Sequence, residues 1–116
     1  MHAVREAKRL SQDLSESSGL TKARSVLEQA LAAEEDDNLV LTCLGAVLSD
    51  LGHHHDAAKV LKKAANGSKD RNTYFNLGVA VLNSGTHEEA MGWFKKANSL
   101  EADPESWEAY FDPQAN

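Results

Sequence analysis

Cysteine, positive charge and long apolar runs are all scarce in this chain of 116 residues, and each shortage removes a class of function. A lone cysteine, Cys43, can close no intramolecular disulfide and can build no multi-cysteine zinc site. Twelve Lys and Arg stand against 18 Asp and Glu, a formal net charge of -6. Phosphate backbones are bound by clustered Lys and Arg, so no nucleic-acid partner is expected. No apolar run approaches the roughly 18–20 residues of a membrane span, so no membrane partner is expected either. The opening MHAVREAKRL lacks the apolar core of a secretory signal, and a reduced, cytoplasmic location is the expectation. The sequon Asn66-Gly67-Ser68 weighs little against this, because Asn-Gly is an ordinary turn pair. The glycines form no phosphate-cradling loop. No nucleophile stands in a recognisable catalytic setting, so neither an enzyme nor a cofactor is expected.

What the chain does contain is repetition. Shifted by 33 residues, LTCLGAVLSDLGHHHDAAKVLKKA (41–64) falls on YFNLGVAVLNSGTHEEAMGWFKKA (74–97) with eight of 24 positions identical. The shared residues include Leu44/Leu77, Gly45/Gly78, Gly52/Gly85, His54/His87, Ala57/Ala90 and Ala64/Ala97. A shift of 34 in the other direction lays Leu10, Leu14, Ala23, Val26, Leu27 and Ala30 on Leu44, Leu48, Ala57, Val60, Leu61 and Ala64. In that first copy Ser11 and Ser18 stand where the later copies have glycine. Three copies at this period indicate a stacked array of supersecondary units.

Each copy reads as two helices. Leu41, Leu44, Leu48 and Leu51 recur at helical spacing, as do Ala57, Val60, Leu61 and Ala64. Gly52 and Gly85 punctuate the pattern between them. Asp37 and Asp70 are N-cap candidates, and Asp103-Pro104 is a further helix-start signal. The resulting map has helices near 4–17, 21–33, 37–50, 54–66, 70–83 and 87–100, with a short one near 104–111. Trp107, Tyr110 and Phe111 of the last are expected to cover the end of the preceding helix, the alternatives being the start of a further unit of a longer array or a dimer contact.

The order Tyr74, Leu77-Gly78, Val81, Ala90, Phe94, Ala97, Pro104 resembles the tetratricopeptide repeat, as does Leu41, Leu44-Gly45, Leu48, Ala57, Leu61, Ala64 in the second copy. The resemblance implies an all-α, right-handed superhelix of antiparallel helix pairs. It would be one domain over 1–116, with repeats near 4–36, 37–69 and 70–103 and a capping helix near 104–111. It also implies that the first helix of each pair lines a concave groove. By that resemblance the groove takes Arg5, Lys8, Arg9 and Gln12 from copy one. Leu39, Thr42, Cys43, Ala46 and Ser49 come from copy two, and Asn72, Phe75, Asn76, Val79 and Leu82 from copy three. A subset of the family clamps a terminal carboxylate with Lys, Asn and Arg. Here Lys8 matches and Gln12 approximates, but Cys43, Asn72 and Asn76 do not, which argues against that ligand.

The run TYFNLGVAVL (73–82) is apolar nearly all round, which implies burial on two faces. One face packs inside the repeat. The other needs a partner, a second subunit or the chain's own tail. The triplet His53-His54-His55 lies at the start of a second helix, where neighbours point about 100° apart and share no ion readily, so a structural turn rather than a metal site is expected. The acidic stretch Glu34-Glu35-Asp36-Asp37 reads as an inter-repeat loop without calcium-loop spacing. The functional expectation is a non-enzymatic adaptor or scaffold that holds a peptide or helix of a partner protein in its groove. The alternative is a self-assembling scaffold that forms homo-oligomers through repeat ends.

Overall fold

The computed structural model describes residues 2–12, 18–33 and 37–110. Among them every regular element is a helix: α1 (His2–Ser11), α2 (Ser18–Ala33), α3 (Asn38–Asp50), α4 (His54–Ala65), α5 (Arg71–Ser84) and α6 (His87–Asn98). Three antiparallel pairs, α1–α2, α3–α4 and α5–α6, stack side by side, with α2 packed on α3 and α4 on α5. The odd-numbered helices also meet one another, α3 touching both α1 and α5. The fold is therefore the expected all-α array of helical hairpins. No helix among the described residues is long and apolar enough to cross a membrane.

Local chemistry sets the helix ends. Asp37 accepts the amides of Leu39 and Val40 at 2.9 and 3.2 Å, and Asp70 accepts that of Asn72 at 2.8 Å. Each satisfies orphan donors of a first turn. Thr86 does the same for Glu89, three residues on, at 3.1 Å. The α3–α4 turn closes through Gly52 at φ 88°, where L side chains are strained. His53 then returns its amide to Leu48 at 2.8 Å.

Small residues let the hairpins close. A Cβ built on Gly78 would lie 2.6 Å from the ring of Phe94, and one on Gly45 would overlap the branched end of Leu61. Ala57, Ala64, Ala90 and Ala97 are buried opposite them. The main core runs continuously from Val4 and Ala7 in α1 through Leu27, Val47, Leu61 and Leu77 to Ala90 in α6. That continuity is the reason such pairs fold as a stack, since one pair alone leaves a face open.

Two expectations are corrected. The first helix, expected over 4–17, ends at Ser11, and residues 13–17 lie outside those described. The expected capping helix near 104–111 does not form: residues 104–105 make a turn, and 106–110 continue without helix, while Phe111 lies outside the described residues. The helix-start signal at Asp103 is used locally, since its carboxylate accepts the amide of Glu105 at 2.8 Å and its carbonyl that of Ser106 at 3.2 Å. The chain then leaves that turn because more distant groups take its next amides and carbonyls.

Candidate functional site

Those groups line the inner wall formed by α1, α3 and α5. The Nδ2 of Asn76 donates to the carbonyl of Trp107 at 3.0 Å, and its Oδ1 accepts the amide of Ala109 at 2.7 Å. One side-chain amide thus grips both polar groups of a backbone, two residues apart. In an extended chain these groups face the same side, as alternate residues do in a strand. Asn72 donates to Ser106 Oγ at 2.9 Å, and Asp50 accepts the amide of Tyr110 at 2.8 Å. The path runs parallel to α5. About 10 Å of extended chain from Ser106 to Ala109 matches about 10 Å of helix from Asn72 to Val79.

Side chains complete the contact. Ala109 is 3% exposed and packs with Ala46 and Val79, flanked by Phe75, Phe94 and Trp107. The guanidinium of Arg71 lies 4.8 Å from the centre of the Phe75 ring and binds Glu108 at 2.8 Å. Arg5, on α1, binds Glu105 at 2.8 Å. That bond is the first cause holding the Glu105 carboxyl below its ordinary range. The tail therefore touches all three inner helices while the Tyr110 ring stays in solvent, 74% exposed.

Several residues expected on the groove meet this segment: Arg5, Cys43, Ala46, Asn72, Phe75, Asn76 and Val79. Cys43 is buried, with the Trp107 backbone hydrogen-bonded to it. Burial above all, then the charge of Asp70, pushes its thiol far up from the ordinary value. Thr42 is buried and turned to structural use: its hydroxyl pairs with Thr73, and its carbonyl accepts Asn76 Nδ2 at 3.3 Å. Leu39 and Leu82 pack against the main core rather than against the tail. Lys8 is half-buried, and Arg9 and Gln12 are exposed along α1. Ser49 is buried. Two participants had not been anticipated, Arg71 and Asp50. Each stands at the first or last position of its helix, where the side-chain direction does not follow from helical period alone.

Asp50 adds a measurable pH dependence. Burial raises its carboxyl from 3.8 to about 6, against the opposing hydrogen bond from Tyr110. A carboxyl raised in the folded state favours folding fully below its unfolded value near 3.8, and that contribution is lost as pH rises through about 6. Asp50→Asn keeps an oxygen for the Tyr110 amide and removes the charge. The variant is expected to exceed wild type in stability by roughly 1–2 kcal/mol at pH 7.5, after discounting for partial exposure, and to show no gain at pH 4. Thermal midpoints at the two pH values check this. Equal differences would mean that Asp50 does not titrate in this range.

Among the described residues no group of three or more His, Cys, Asp or Glu could hold an ion. His54 begins α4, and partial burial, then the neighbouring His53 and His55, lower its pKa from 6.5. Of the acidic stretch, residues 34–36 lie outside the described set, and Asp37 serves as the cap of α3.

No curated protein matches the chain. Tetratricopeptide repeats are a protein-interaction fold. The tetratricopeptide-repeat family model matches residues 72–104, which hold the α5–α6 hairpin from its second residue, and with two further hairpins stacked on that one the match supports assignment to the tetratricopeptide-repeat family.

Proposed function

We propose that the chain is a non-enzymatic interaction module that holds an extended segment of a partner protein along the inner wall of α1, α3 and α5. The observation that carries this reading is the two-way grip of Asn76 on the backbone of residues 107 and 109. A side chain that reads only main-chain groups accepts many sequences, and it sits on a helix and also donates to the carbonyl of Thr42 at 3.3 Å, which holds it in place independently of the tail. The groove's occupant is extended rather than helical, which favours an extended peptide over a helix as the form of ligand.

Peptides selected by display against the wild-type protein test the reading. On binding, they are expected to shift the side-chain NH2 resonances of Asn72 and Asn76 and to free the amides of Ala109 and Tyr110 for solvent exchange. Perturbations confined to α2, α4 and α6 would place binding on the outer face and reject the groove.

A further inference from the structure

We infer that residues 105–110 are a built-in competing ligand of the groove, and that the partner segment that displaces them shares their chemistry: an extended acidic stretch with a hydroxyl, a bulky apolar residue, a second acid and a small residue in succession. The inference rests on the groove reading above and adds to it the identity of the ligand class.

The tail reveals what each position of the wall accepts. The first acid meets Arg5 at 2.8 Å and the second meets Arg71 at 2.8 Å. Two cations, one at each side of the path, select for negative charge at a spacing of three residues. This local basic lining stands out in a chain whose formal net charge is -6. Between the acids, Asn72 takes a hydroxyl, and Trp107 packs with Phe75 and Phe94 around the cluster of Ala46, Val79 and Ala109. Beyond the second acid the wall closes around a methyl group, since Ala109 is buried against Ala46 and Val79.

The attachment is also of a kind that can exchange. Of the six residues only Ser106 and Ala109 are buried, and one partner of each ion pair, Arg5 and Glu108, is exposed. Residues 99–104 connect α6 to the tail, a tether short enough to give an effective concentration on the order of millimolar. A tail docked 99% of the time weakens an external ligand by roughly 100-fold, because only the open fraction binds.

A labelled synthetic peptide of residues 101–110 is the probe, titrated into full-length protein. Ala109→Glu makes the tail too large for its own site while leaving the wall intact. This variant is expected to bind the peptide at least tenfold more tightly than wild type. It is also expected to bind a peptide carrying Glu105→Gln and Glu108→Gln at least tenfold more weakly than the acidic one, a difference that shrinks with added salt. If Ala109→Glu loses its helical circular dichroism, Trp107→Gly supplies the same comparison without a new charge. Equal affinity of wild type and a folded variant would overturn the competitor. Equal affinity for the two peptides would overturn the acidic ligand class and leave the groove standing. A folded variant that binds neither peptide would remove the groove reading itself. A wild-type mass that doubles with concentration and returns to the monomer value on adding peptide would put the tail in a second copy's groove and overturn the arrangement within one chain.

Discussion

Alanine at Gly45 is expected to destabilise the wild-type chain yet stabilise a Leu61→Ala chain. In wild type the new methyl group would overlap the Cγ and both terminal carbons of Leu61. Leu61 is 0% exposed, so it cannot turn out into solvent without leaving the core. Overpacking of this kind costs about 1–3 kcal/mol, and the better helix propensity of alanine returns at most about 1 kcal/mol. The upper part of that range applies because three carbons, rather than one flexible tip, stand in the way. A loss of 2 kcal/mol corresponds to roughly 8 °C in thermal midpoint for a domain of this size. With Leu61 truncated, the overlap vanishes and the propensity gain remains. A double-mutant cycle measured by denaturant unfolding reads the coupling directly. The same effect of Gly45→Ala in both backgrounds would show that α3 and α4 do not approach at this glycine.

Asn76→Ala is expected to give the second large effect. It deprives the Ala109 amide and the Trp107 carbonyl of their partner in one step. A buried polar group left without a partner costs about 1–3 kcal/mol. The chain limits that cost by letting the tail leave the groove, so a total loss of about 2–4 kcal/mol is expected. In a Trp93→Phe background, Trp107 is the sole tryptophan. Its emission is expected to move to the red as the residue enters water. Asn76→Asp is expected to behave worse at neutral pH, because a carboxylate then faces the carbonyls of Thr42 and Trp107. Wild-type stability with unchanged Trp107 emission in Asn76→Ala would mean that the grip contributes nothing to holding the tail.

Much of the helical frame was legible because it rests on short-range signals. Gly45 with Leu61 and Gly78 with Phe94 are small and large residues 16 apart, and both pairs meet as that recurrence suggests. Asp37 and Asp70 cap the helices they precede. The list of residues expected on the groove came from helical period joined to the family resemblance, and Cys43, Ala46, Asn72, Asn76 and Val79 of that list meet the tail. Leu82, from the same list, packs against the main core.

The conformation of residues 104–110 was not legible for a physical reason. Asp103-Pro104 is a sound local start signal, and Asp103 does accept the amide of Glu105. A helix would also need the carbonyl of Trp107 and the amide of Ala109, and both are taken by a side chain more than 30 residues earlier. Local propensity is a weak prior against a preformed partner of that kind. Charge was legible in part: of the two cations that meet the tail, Arg5 is on the list expected for the groove and Arg71 is not.

Cys43 turns this arrangement into a clock. Its sulfur lies behind the Trp107 backbone, 0% exposed, with ionisation suppressed by burial. A thiol reagent can therefore reach it only during moments when its surroundings open, and the strap over it is part of those surroundings. The rate of alkylation, divided by that of an unhindered cysteine, equals the fraction of time spent open. The lone sulfur atom of the cysteine thus times the groove's breathing in the unaltered protein, without any added probe.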